Sequence, residues 1–224
     1  MNASTKEPQY TTCLDIDREI GRTRLGLMTN QVWHDDPRRL CFVLARYKFV
    51  SKMLSGARRV LEVGCADAFG TRIIQQEVGS VTVTDFDPLF IEDVNARKSE
   101  RWPLTAMLHD MLQAPFPGEF DGVYAIDVLE HIPAEHELLF IRNMIAPLTL
   151  HGVCLVGTPS IQSQAYASPP SKVGHVNCKD APALKALMQQ FFHNVFLFSM
   201  NDEVVHTGYH PMAHYLWALC VGKK

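Results

Sequence analysis

Apolar and polar positions change their rhythm about a quarter of the way along the chain. Residues 1 to about 36 are polar and without a regular period. Leu40, Val43, Leu44, Tyr47, Val50 and Leu54 then recur at helical spacing. This predicts an amphipathic helix over 37–54, with Asp36 as its cap and Pro37 in its first turn. From 58 onward short apolar runs alternate with helical patterns. The runs at 58–64, 80–85, 105–110, 120–127, 152–159, 194–200 and 212–222 predict strands. The segments 70–78, 88–97, 134–148 and 181–192 predict helices. Pro88 opens the second of these, with Asp87 as its cap. In the third, Leu138, Leu139, Ile141, Met144 and Ile145 form the expected apolar face. Residues 160–180 are rich in Ser and Pro and lack periodicity, as a functional lid would be. Strands separated by helices predict an α/β fold. Its expected form is a doubly wound, mostly parallel, seven-stranded sheet with a reversed last strand. Residues 1–54 are expected to form an N-terminal helical cover, and 55–224 the catalytic domain.

Composition narrows the function classes. The 224 residues are 47% hydrophobic and 20% charged, with a net charge of −3. A sizeable core is available, and the charge argues against a nucleic-acid partner. Six cysteines occur without a C-x-x-C pair, which predicts reduced thiols and a cytoplasmic location. The opening "MNASTKEPQYTT" has no apolar stretch of the kind a signal peptide needs. The longest uncharged apolar runs fall short of the ~18 residues of a membrane span, so no membrane partner is expected.

The stretch "VLEVGCADAFG", Val60 to Gly70, carries the most chemistry. A carboxylate, Glu62, sits within an apolar strand. A turn of small residues follows: Gly64, Ala66, Ala68 and Gly70. Small residues let a ligand approach the backbone, and the next helix supplies free N–H donors. The second strand ends in Asp85, about 20 positions further on, where a carboxylate can accept both ribose hydroxyls. Phe86 follows and can lie against an adenine. A nucleoside-type cofactor is implied. The spacing G-x-A-x-x-x-G departs from the dinucleotide fingerprint G-x-G-x-x-G, and a strand Glu62 is no part of that fingerprint. A nucleotide-linked oxidoreductase of Rossmann type stays open as an alternative. So does a non-catalytic partner protein built on the same fold.

"LEVGCADAFG" resembles the first motif of the class I, Rossmann-like, S-adenosylmethionine-dependent methyltransferases. "VTVTDFDP" is similar to their second motif, "HDMLQAPFPGEFDGVYAIDVLEHIP" to the third and fourth, and "LTLHGVCLVGTPS" to the fifth. The ending "GHVNCKDAPALKALMQQFFHNVF" is similar to the small-molecule branch that contains ubiquinone-biosynthesis and sugar O-methyltransferases. The resemblance spans roughly 55–222 and implies S-adenosyl-L-methionine as cofactor and a small-molecule acceptor. It also implies roles. Glu62, Gly64 and Ala66 would face the methionine end of the cofactor, with Asp127 nearby. Asp85 would hold the ribose and Phe86 the adenine, with Asp110 and Met111 along the adenine edge.

Methyl transfer from a sulfonium is an in-line displacement, so an enzyme mainly positions the acceptor. A hydroxyl acceptor also gains from a base. His131, in "DVLEHIP", is the candidate base. The resemblance leaves Glu130 as its partner or as a metal ligand. His175, His210 and Tyr166 are candidates for the acceptor side. No metal is assigned: His206, His210 and His214 are spaced by four, but Pro211 breaks the helix that would align them.

Overall fold

The computed structural model describes residues 4–224. Its elements, in chain order, are α1 (Thr11–Ile20), α2 (Leu27–Asp35), α3 (Arg38–Met53), β1 (Arg59–Val63), α4 (Thr71–Ile74), β2 (Ser80–Asp85), α5 (Pro88–Ala96), β3 (Thr105–Leu108), β4 (Phe120–Ile126), α6 (Glu137–Ile145), β5 (Leu148–Pro159), α7 (Pro169–Gly174), α8 (Ala181–Met188), β6 (Phe192–Asn201), β7 (Val204–His206) and β8 (Tyr215–Lys223). The strands form one sheet in the order β3-β2-β1-β4-β5-β8-β6-β7. The first five in that order are parallel. β8 runs antiparallel to both β5 and β6.

The sheet therefore has eight strands, not the seven expected. The reversed last strand is as expected. The extra strand is β7, three residues folded back on β6 through Asp202, which is left-handed at φ 49°. "EVVHT" is too short and too polar to stand out by alternation.

Side-chain alternation divides the core into two layers. Leu61 and Val63 of β1 face the layer that also holds Phe140, Ile141 and Met144 of α6 and Leu184 and Met188 of α8. Val60 faces the other layer, with Tyr47 and Val50 of α3, Ile74 of α4 and Ile91 and Val94 of α5. Helices on both faces explain why the central strands read as continuous apolar runs.

Three local differences from expectation have physical causes. The polar N-terminal stretch contains two helices: α1 buries no residue, and α2 buries only Thr29 and Val32. Ile16 and Ile20 of α1 stay exposed, so neither helix adds much to the core. The helix expected over 70–78 is a single turn, because Gly79 brings the chain back to bond Ala57 O. On α6, Leu138 and Leu139 are exposed, while Phe140 is buried with Ile141, Met144 and Ile145. Adjacent apolar residues cannot all share one stripe, and the larger ring takes the core position.

Candidate functional site

The strand order reverses at β1, which lies between β2 and β4. In open α/β sheets the crevice at the carboxyl ends of such strands is the ligand site. Gly64 leaves β1 there at φ 72°. A Cβ on it would come within 2.4 Å of Val128 Cγ2. Ala66 and Ala68 follow at φ 43° and 50°. Both alanines thus stand in the left-handed backbone that favours glycine. Tertiary bonds hold them there. Gly64 N and Cys65 N both bond Thr84 O at the end of β2, and Ala66 N donates to Asp85 Oδ2 at 2.8 Å. Asp67 accepts from Thr29 N at 2.6 Å and Thr29 Oγ1 at 3.2 Å, tying the turn to the start of α2.

Glu62 lies beneath this turn and is 1% exposed. Its oxygens accept from Tyr47 Oη on α3 at 2.8 Å, Tyr124 Oη on β4 at 2.6 Å and Thr71 Oγ1 on α4 at 2.6 Å. Burial pushes the carboxyl up to about 7, against the three hydrogen bonds that favour its charge. The strand carboxylate joins three elements and braces the turn from below.

Asp85 ends β2 and is largely buried. Its Oδ1 accepts Asp87 N and its Oδ2 accepts Ala66 N. Burial is the largest influence on its pKa and raises it. Phe86 beside it is 74% exposed, with an open ring face. Asp87 caps α5 as expected, accepting from Leu89 N. Asp110 accepts from Leu112 N at the end of the β3 segment. Met111, expected along the same edge, packs its side chain into the core layer of α6 and α8, and its carbonyl accepts from Asn143. Only the backbone of Met111 can border a ligand.

At the end of β4, Asp127 is left-handed at φ 56°. It pairs with Arg46 Nη1 of α3 at 2.5 Å. The Arg46 guanidinium lies 3.9 Å from the centre of the Tyr215 ring. Next along, a 3₁₀ turn over Leu129–His131 presents Glu130 and His131. Glu130 is fully buried. Its Oε2 accepts from Thr158 Oγ1 at 3.1 Å, and its Oε1 has no hydrogen-bond partner among the described residues. Burial first, and then the neighbouring Asp127, holds the Glu130 carboxyl above its usual range. His131 Nδ1 bonds the carbonyl of Gly174 at 2.8 Å, and its Nε2 lies 3.9 Å from Glu130 Oε1.

The 160–180 connection is folded rather than irregular. It holds a 3₁₀ helix at Ile161–Tyr166 and then α7. Val176 N and Asn177 N both donate to Glu130 O, at 2.8 and 3.0 Å. These bonds bring His175 beside His131, with ring centres 5.1 Å apart. Tyr166, expected on the acceptor side, ends the 3₁₀ helix and is 91% exposed. His210 sits in a short 3₁₀ turn beside Tyr209, with Nδ1 buried and unpartnered among the described residues. His206 and His214 are on separate segments and bond Asn201 and Asp202 N.

Sequence reasoning missed Arg46, Tyr47, Thr71, Tyr124 and Tyr215. A signal existed for the first. Arg46 falls on the same helical stripe as Val43, Tyr47 and Val50, where a charge requires a buried partner. The tyrosines gave no signal, because a hydroxyl at the edge of a core is ordinary.

Comparison with known proteins agrees with this geometry. Residues 60–152 match the family described as methyltransferase domain. No curated protein matches the chain. Among solved structures, the chain is similar to the N-methyltransferase NodS from Bradyrhizobium japonicum WM9 in complex with S-adenosyl-L-homocysteine. The TM-score is 0.60 at 22% identity, over 84% of this chain and 89% of that one. It is similar to the plantazolicin methyltransferase BpumL, also in complex with S-adenosyl-L-homocysteine, with TM-score 0.62 at 10% identity, over 86% and 94%. Magnesium protoporphyrin IX methyltransferase (ChlM) from Synechocystis PCC 6803, with bound S-adenosylmethionine, gives TM-score 0.55 at 14% identity, over 98% and 100%. No helix among the described residues is long and apolar enough to cross a membrane. The chain has the fold of the class I S-adenosylmethionine-dependent methyltransferases, with a methyltransferase domain matched over residues 60–152.

Proposed function

We propose that the protein transfers a methyl group from S-adenosyl-L-methionine to a hydroxyl of a small molecule, such as a sugar or a phenol. One observation carries the reading: the left-handed turn at Gly64, Ala66 and Ala68, pinned to Asp85 at the strand-order switch. The turn has nothing larger than a methyl group at these three positions. It lies beside a ribose-height carboxylate and an exposed aromatic ring, so these residues fit the cofactor. The methyltransferase-domain match supports S-adenosyl-L-methionine over a dinucleotide. Neighbours named for plantazolicin and magnesium protoporphyrin IX support a small acceptor.

The cofactor supplies an activated methyl group on a sulfonium. The protein's own residues do the rest. Glu62 fixes the turn through Tyr47, Thr71 and Tyr124. Asp85 keeps a lone pair on each oxygen for a ribose hydroxyl while it holds Ala66 in place. The N-terminal helices α1 to α3 act as a cover that reaches the site through α3, which contributes Arg46 and Tyr47. With Nδ1–H donated to the Gly174 carbonyl, His131 presents the Nε2 lone pair. That nitrogen can take the proton of an acceptor hydroxyl, and a base at this step contributes ~10²–10⁴ in rate.

The test begins with the cofactor. S-adenosyl-L-homocysteine at ~100 Kd should stabilise the protein by about 2.7 kcal/mol, read as a rise in Tm. Asp85→Ala should lose most of that rise. A donor-consumption assay against phenols, sugar nucleotides and hydroxy acids then identifies the acceptor. A rise in Tm with nicotinamide cofactors but not with S-adenosyl-L-homocysteine would overturn the reading.

A further inference from the structure

We infer that Asp67 is a positioning residue through which cofactor affinity depends on the N-terminal cover. Asp67 stands between the two left-handed alanines of the turn and is 3% exposed. Its Oδ2 accepts from Thr29 N at 2.6 Å. Its Oδ1 accepts from Thr29 Oγ1 at 3.2 Å and from Phe69 N at 3.1 Å. A carboxylate this buried, with both oxygens taken by the protein, is no cofactor contact. It fixes where the turn lies.

The bonds close a ring through three elements. α2 begins at Gly26, which has no side chain to cap the helix. Asp67 supplies a cap from the turn, and Asp93 of α5 accepts from Leu27 N at 3.2 Å. A carboxylate at a helix N-terminus satisfies free N–H groups and meets the positive end of the helix dipole. Asp93 Oδ2 also accepts from Arg97 Nε at 3.1 Å and Nη2 at 2.7 Å, and Arg97 Nη2 donates back to the Asp67 carbonyl. Gly26 is fitted to this ring. A Cβ there would lie 2.4 Å from Asp67 Cβ, Cγ and Oδ2. α2 buries only Thr29 and Val32, so the bonds to Asp67 are a large part of what docks it.

The turn needs such a clamp. Left-handed alanines persist only where the surrounding structure over-determines them. Asp85 fixes one end of the turn through Ala66 N. Asp67 fixes its middle to α2. Released from α2, the turn loses that constraint, and its backbone no longer holds one shape for a ligand. The coupling is reciprocal: a ligand that binds the ordered turn must hold α2 down by the same factor. The inference rests on the cofactor reading proposed above.

The test measures S-adenosyl-L-homocysteine binding by calorimetry, well below Tm, together with hydrogen exchange of the α2 amides. Asp67→Ala removes the carboxylate. Gly26→Ala displaces it from within the cover, at a φ of −75° and ψ of 169° that alanine adopts freely. Each should weaken binding about ten-fold, inside the usual range for coupled sites. Asp67→Asn keeps an oxygen for Thr29 N and should fall between Asp67→Ala and wild type. In the wild type, saturating S-adenosyl-L-homocysteine should slow exchange of the α2 amides about ten-fold. That slowing should vanish in Asp67→Ala. Far-UV circular dichroism checks folding, and if Asp67→Ala fails to fold, Gly26→Ala and Asp67→Asn carry the comparison. A purely structural Asp67 would lower Tm, leave affinity within about two-fold, and leave α2 exchange indifferent to the ligand. That result would overturn the inference and leave the proposed function standing. Wild-type protein that binds no S-adenosyl-L-homocysteine would overturn both.

Discussion

Replacing Glu62 by glutamine should change how stability depends on pH rather than simply lower it. The wild-type carboxyl is buried, and its pKa is pushed up to about 7 from an ordinary 4.5. A folded-state pKa above the unfolded one means that the native state holds the proton more tightly. The stability from that proton is fully present below pH about 4.5 and is lost as pH rises through about 7. A shift of about 2.5 units at 1.36 kcal/mol per unit is about 3 kcal/mol in all. Most of it, about 2–3 kcal/mol, falls between pH 5 and pH 8.

A glutamine side chain is neutral throughout and similar in size. Its amide oxygen can still accept from the Tyr124 and Thr71 hydroxyls, and its amide nitrogen can donate to the Tyr47 hydroxyl oxygen. Urea unfolding of both proteins from pH 5 to pH 8 gives the variant-minus-wild-type difference. That difference should move in the variant's favour by about 2–3 kcal/mol across the range, while other titrating groups cancel. Glu62→Ala is the contrast. It strands three buried hydroxyls and opens a cavity, so it should destabilise at every pH. A difference between Glu62→Gln and wild type that is flat with pH would refute the reasoning. It would mean that the three hydroxyl donors already compensate the charge fully.

Two further outcomes follow from the site's backbone and charges. Ala66→Gly should leave stability unchanged or raise it by up to about 1 kcal/mol in urea unfolding, because relief of the left-handed backbone offsets the added chain entropy. A loss of about 1 kcal/mol, as in regular helix, would contradict the strain assigned to φ 43°. Arg46→Met should cost about 3 kcal/mol, the low end for a broken buried pair because Asp127 is one-third exposed. Arg46→Met combined with Asp127→Asn should recover part of that loss in a double-mutant cycle.

What the sequence made legible follows what each signal depends on. The parallel strands could be read because they are buried on both faces, and burial on both faces writes a continuous apolar run. The cofactor turn could be read because its requirement is local: small residues between a strand and a helix, and a carboxylate one strand later. Even there, Ala66 and Ala68 read only as small residues, because backbone handedness is not written in composition. β7 and the helices α1 and α2 were hidden because they bury almost nothing. Glu62, Glu130, His131 and His175 stood out singly, but the partners that gather around them were hidden for a different reason. Tyr47, Thr71 and Tyr124 come from three elements and converge on one carboxylate only after the sheet has formed. His175 reaches His131 only because a loop some forty residues later hydrogen-bonds to the Glu130 carbonyl. Local requirements appear in the sequence as motifs. Requirements met across elements appear only as single unexplained residues, such as a carboxylate inside a strand or Arg46 on an apolar stripe. Those residues are the ones whose partners a structure must supply, and here both lead to the carboxyl edge of the sheet.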